Sequence, residues 1–123
     1  MALRWGQADI DQVLKGHGAW LGLADGEQIE FAAKTRRDYL IFTDRRLIRT
    51  DTQGFVNKKT EYQSIPYRAM SRWSVEGRGS NSLMDGADLK LWIGAALEPL
   101  LDIELQKDES AQAVVALLSA HAM

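Results

Sequence analysis

From Glu27 to Leu105 the chain consists of short runs of alternating apolar and polar residues cut every few positions by turn formers. That texture leaves little room for anything but an antiparallel β fold, because a period of two places alternate side chains on opposite faces of a strand. Seven runs are expected. Gln28 to Lys34 puts Ile29 and Phe31 on one face, and Asp38 to Thr43 sets Tyr39 and Ile41 against Leu40 and Phe42. Asp44-Arg45 turns into Arg46 to Asp51, and Thr52-Gln53-Gly54 supplies a glycine for a tight hairpin. The fourth run starts near Phe55 and ends at Ile65, where Pro66 removes a ladder donor.

A turn over Tyr67 to Met70 leads to Ser71 to Glu76, in which Trp73 and Val75 alternate with Arg72, Ser74 and Glu76. One wet face is expected there. A glycine- and serine-rich loop, Gly77 to Gly86, precedes Ala87 to Ile93, where Leu89, Leu91 and Ile93 oppose Asp88, Lys90 and Trp92. Leu100 to Gln106 closes the series by setting Leu101, Ile103 and Leu105 against Asp102, Glu104 and Gln106.

Helices bracket this β stretch. Asp9 and Gln12 have capping-box spacing, so a helix starts there, with Ile10, Val13 and Leu14 on one face. Gly16 and Gly18 are expected to stop it after about two turns. Asp108 caps a final helix with Glu109 in its first turn, and Ala111, Val114, Val115, Leu117 and Leu118 form its apolar stripe. Such a stripe must bury itself, and the open end of a bent sheet is the natural place. The chain of 123 residues therefore divides into an N-terminal helical segment over 1–24, a β barrel over 27–106 and a capping helix over 108–121, all in one domain.

Composition narrows function by exclusion. With no cysteine, disulfides, thiolate nucleophiles and Cys-type zinc sites are ruled out, and a cytoplasmic protein is expected. The N-terminus lacks the apolar run of a secretory signal, and no apolar stretch approaches the roughly 20 residues needed to cross a bilayer. Charge is unevenly placed: residues 34–59 hold eight basic residues against three acidic ones, although the whole chain is at -2. Faces of opposite sign suit contact with copies of the same chain. An acidic pI near 5.6 and the absence of a basic-aromatic stacking strip speak against nucleic acid.

Several strings, taken in order, resemble the bacterial pleckstrin-homology (PH) domain family: Arg37-Asp38, Phe42-Thr43 with Arg45-Arg46-Leu47-Ile48, Asp51 with Gln53-Gly54, Lys58-Lys59, Ser64-Ile65-Pro66-Tyr67, Ser74-Val75-Glu76 and Leu89-Lys90-Leu91-Trp92-Ile93. The resemblance spans about residues 20–121. It implies a mainly β, seven-stranded, bent antiparallel barrel or sandwich capped by a C-terminal helix, with no enzymatic activity and no cofactor. It also implies assembly into cyclic rings, five-fold for a chain with this domain alone, and a hydrophilic surface that receives a protein partner. Two departures stand out. Asn57 replaces a glycine before the paired lysines and is expected to keep the turn through positive φ, and Gly77-Arg78-Gly79 alters the loop after Glu76.

The expected working surface comprises Arg37, Asp38, Arg45, Lys58, Lys59, Glu61, Tyr67 and Glu76. Trp92, opposite Leu91, is the expected oligomer contact, and Trp73 belongs to the core. Trp5 and Trp20 flank the first helix, which can pack on the barrel or on the next protomer. His17 and His121 lie at helix ends without ligand spacing, and Asp85, Asp88 and Asn81 lack calcium-loop spacing, so no metal is expected. The alternative function is a membrane-surface adaptor whose basic hairpins read anionic lipid headgroups.

Overall fold

Alternation along the strands becomes two apolar layers, one on each side of a single curled sheet. The computed structural model of the protein describes residues 4–77 and 85–123. In chain order it has β1 (Arg4–Gln7), α1 (Ile10–Leu21), β2 (Ile29–Lys34), β3 (Tyr39–Thr43), β4 (Arg46–Gln53) and β5 (Lys59–Pro66). A 3-10 turn over Tyr67–Ala69 follows, then β6 (Met70–Gly77), β7 (Ala87–Ile93), β8 (Leu101–Leu105) and α2 (Ser110–His121). The sheet order is β5-β4-β3-β2-β1-β8-β7-β6, so β5 and β6, consecutive in the chain, form its two edges.

The concave layer gathers Phe31, Leu40, Phe42, Leu47, Leu89, Leu91 and Leu105 around Ala111, Val114 and Leu118 of α2. The last helix thus plugs the sheet as its apolar stripe requires. Trp73 packs at the margin of this cluster, and its indole Nε1 donates to the Ala122 carbonyl at 3.2 Å. The convex layer is smaller: Val13 and Leu21 of α1 cover Ala32, Ile41 and Ile48. Leu40 and Phe42 therefore face α2 while Ile41 faces α1, which explains why β3 is buried along nearly its whole length.

Four expectations are corrected. Among the described residues the sheet has eight strands, not seven, because Arg4–Gln7 inserts between β2 and β8, antiparallel to the first and parallel to the second. The N-terminal segment is therefore a strand followed by a helix. That helix runs twelve residues, through Gly16 and Gly18, and stops at Gly22, which holds φ 59. Asp9 does cap it, accepting from the Asp11 amide at 2.8 Å, whereas Leu14, expected on the buried face, is 41% exposed. In the β4–β5 connection the left-handed residue is Gly54 at φ 85, and Asn57 does not adopt positive φ.

Asp108 joins both ends of the chain. One carboxylate oxygen accepts from the Ser110 amide at 2.7 Å, where α2 begins, and the other accepts from the Gln7 amide at 3.1 Å, where β1 ends. The expected cap is corrected: the N-cap of α2 is Glu109, which makes no side-chain cap bond, and Asp108 engages the first helical amide from one residue earlier while also holding β1.

Candidate docking surface

Two hairpin connections, residues 35–38 between β2 and β3 and residues 54–58 between β4 and β5, meet at one end of the sheet. Asp38 organises the first. Its carboxylate accepts from the Thr52 amide at 2.8 Å and the Thr50 hydroxyl at 3.1 Å, while the Thr35 amide donates to its carbonyl at 2.9 Å. Both side-chain bonds fall on Oδ1, and through that oxygen Asp38 builds the turn. Arg37 reaches from that turn to the second hairpin, donating to the Gly54 carbonyl and lying 5.1 Å over the Phe55 ring. Arg36, Arg37, Phe55 and Lys58 together line a hollow of about 440 Å³.

At the tip of the second hairpin, Phe55 and Val56 are 87% and 93% exposed. Sequence reading placed Phe55 at the start of a strand and so missed this apolar tip. The available signal was two bulky apolar residues directly after a turn glycine, where polar residues usually sit. Lys59 opens β5 opposite Gln53, and Glu61 is exposed opposite Asp51, where it accepts from the Gln63 amide group at 3.2 Å.

The remaining expected surface residues lie elsewhere. Arg45 occupies the β3–β4 turn at the other end of the sheet, donating to the Asp25 carbonyl at 3.1 Å. Glu76 is exposed on edge strand β6 beside Asp88 of β7. Tyr67 is not on the surface: it is 4% exposed, its hydroxyl donates to the Thr43 carbonyl at 2.6 Å, and its ring stacks on His121. Burial, with the nearby carboxylates of Glu30, Asp44 and Glu27, raises its pKa well above the ordinary tyrosine value. The 3-10 turn after Pro66 aims this ring inward, which a linear reading could not show. The eight residues therefore form one cluster around Arg37, Lys58 and Lys59, with the others distributed around the molecule.

Trp92 has cover within its own chain. It is 8% exposed, the Arg72 guanidinium lies 3.8 Å over its ring, and its Nε1 donates to the Leu97 carbonyl at 3.2 Å. Trp20, by contrast, is 72% exposed and stacks flat on Tyr62 with centroids 6.1 Å apart. Trp5 packs against the concave core.

The histidines serve structure. His17 lies inside α1 and not at its end, with Nδ1 2.7 Å from the Tyr62 hydroxyl. His121, at the end of α2, sits 2.8 Å from Glu30. Asn81 lies outside the described residues, and among those described no three His, Asp or Glu side chains gather as metal ligands. No described helix is long and apolar enough to cross a membrane.

The likeness to known proteins covers the whole of this architecture. The family described as "Bacterial PH domain" matches residues 3–122. The uncharacterized protein YjqA of Bacillus subtilis (strain 168) is 46% identical over 101 residues, 82% of this chain and 79% of its own length. A crystal structure of a DUF1696 family protein with a pleckstrin-homology domain, from Shewanella loihica PV-4, superposes with a TM-score of 0.76 at 27% identity, covering 99% of this chain and 100% of that one. The pleckstrin homology domain from Shewanella amazonensis SB2B gives 0.68 at 34% identity, covering 94% and 90%. A curled sheet stoppered by a C-terminal helix, matched along nearly every residue, places this chain in the bacterial PH domain family.

Proposed function

We propose that the chain is a non-catalytic docking module that assembles with copies of itself into a closed ring, five-fold in number, and presents a hydrophilic surface to a protein partner. One observation carries this reading. Among the described residues the sheet ends in two unlike edges, β5 and β6, that no other strand covers. A free edge is a row of backbone donors and acceptors ready to pair with another strand. When the two edges differ, pairing β5 of one copy with β6 of the next is head-to-tail, and a head-to-tail contact ends only by closing into a ring. Exposed polar side chains flank both edges, Lys59, Glu61 and Ser64 on one and Arg72, Ser74 and Glu76 on the other.

Light scattering at micromolar concentration tests the reading, the expected mass being five times the 13.8 kDa of one chain. Hydrogen exchange should show β5 and β6 amides gaining protection as concentration rises. A monomer at every concentration overturns it.

A second reading, a membrane-surface adaptor, is favoured by the tip of the β4–β5 hairpin. Phe55 and Val56 project there beside the exposed cations Arg36, Arg37, Lys58 and Lys59. Apolar tips enter the interface while neighbouring cations meet anionic lipid. Sedimentation with phosphatidylglycerol vesicles, lost on Phe55→Ser or at raised salt, is its expected signature; recovery independent of lipid composition excludes it.

A further inference from the structure

We propose that the hollow on the convex face above Gly6 is a binding site for a small anion bearing a phosphate group. The inference is independent of ring assembly and shares only Arg36 with the cations beside the hairpin tip. In register across the sheet, Lys34 of β2 stands opposite Gly6 of β1 on one side and Tyr39 of β3 on the other. The Gln106 side chain lies over Gly6 in this row, and together with Arg4, Lys34, Arg36 and Tyr39 it lines a hollow. Its volume is about 500 Å³, within the range of small-molecule sites.

The chemistry of the walls selects for an anion. Arg4, Lys34 and Arg36 line the hollow together with Gln7, Thr35, Tyr39 and Gln106, and no carboxylate residue is in the lining. Arg4 is steadied at the rim by Glu104, Nε to Oε2 at 3.4 Å, which leaves other guanidinium donors to face a ligand. Gln106 is held across the glycine, its Nε2 3.5 Å from the Arg4 carbonyl. A Cβ at position 6 would come 2.5 Å from Gln106 Oε1, so glycine is what lets this amide lie over the strand. Phosphate matches such a set, since it accepts several hydrogen bonds and carries close to two negative charges at neutral pH.

The test is an amide NMR titration of the intact chain with inorganic phosphate and pyrophosphate, paired with sedimentation on phosphatidic acid vesicles. The expected result is saturable shifts at Gly6, Lys34, Thr35 and Gln106, with affinity lowered about tenfold in Lys34→Gln and in Arg36→Gln. Gly6→Ala, which displaces only the flexible Gln106 side chain, should weaken binding while leaving the fold's spectrum intact. Lys15→Gln, the same charge change on exposed α1, should leave affinity unaltered. Vesicle capture that free phosphate competes away identifies a lipid headgroup as the source; shifts with phosphate but no capture identify a soluble phosphate ester. Shifts that fail to saturate, or that respond equally to Lys15→Gln and Lys34→Gln, overturn the site.

Discussion

Arg46 grips Glu27 through two nitrogens, Nε 2.9 Å from one carboxylate oxygen and Nη2 3.1 Å from the other, and the same guanidinium donates to the Leu21 and Gly22 carbonyls. One side chain therefore ties β4 both to the approach to β2 and to the C-terminus of α1, where helix carbonyls lack partners. Glu27, with its side chain 2% exposed, also accepts from the Ala24 amide and the Thr43 hydroxyl. Breaking such a pair by removing one partner strands a buried charge, so Arg46→Met is expected to cost about 3–5 kcal/mol in urea denaturation.

Acid should reveal the same pair. Hydrogen bonds from Arg46, Ala24 and Thr43, opposed by burial, hold the Glu27 pKa at about 2 against an ordinary 4.5. Because the folded value is depressed, its stabilisation is complete above pH 4.5 and is lost as pH falls toward 2, a swing on the order of 3 kcal/mol. Denaturation midpoints measured from pH 7 to 2.5 should drop across that window in the wild type, with a flatter profile in Glu27→Gln. Identical profiles for the two would sink the assignment.

Tyr67 makes the opposite case at alkaline pH. Burial is the main reason its pKa is raised, so the stabilisation it lends is full below the ordinary value of 10.0 and declines as pH climbs above it. Tyr67→Phe removes the bond to the Thr43 carbonyl and should cost about 1 kcal/mol at pH 7. Above pH 10 the variant should lose stability less steeply than the wild type, as read by thermal unfolding.

The two apolar layers predict a sharp contrast between core and tip. Leu118, fully buried under the sheet, should cost about 3 kcal/mol as Leu118→Ala, since both transfer and cavity terms apply. Val56, at 93% exposure, should change stability by less than about 0.5 kcal/mol as Val56→Ala. Equal effects would mean that α2 does not stopper the sheet.

Much of this fold was legible because burial follows alternation. The faces of β3 divide between the two cores as its period of two required, and β7 begins and ends at Ala87 and Ile93 as read. What stayed hidden depended on distant partners. The four residues of β1 show no alternation of their own, and they become a strand only beside β2 and β8, the latter about a hundred positions away. Gly16 and Gly18 each disfavour a helix by about 1 kcal/mol. The helix nevertheless runs through them because His17 bonds Tyr62 and Leu21 is buried against the sheet. The candidate surface was least legible, since Tyr67 looks polar and is core, while Phe55 looks apolar and is exposed.

The cover over Trp92 allows the proposed ring assembly to be separated from folding. Arg72 and the loop after β7 shield the indole, so a neighbouring subunit would meet that cap rather than the ring itself, and its outermost side chain is Leu97 at 93% exposure. Leu97 contributes to the fold through its backbone carbonyl, which a substitution leaves in place. Leu97→Asp should therefore change thermal stability little, within about 0.5 kcal/mol, while placing a charge where the proposed ring would have an apolar subunit contact. Light scattering is expected to show the oligomer of the wild type reduced to smaller species in this variant. If both assemble alike, Leu97 and the Trp92 cap lie outside the subunit contact, and the proposed ring would rest on the edges β5 and β6 alone.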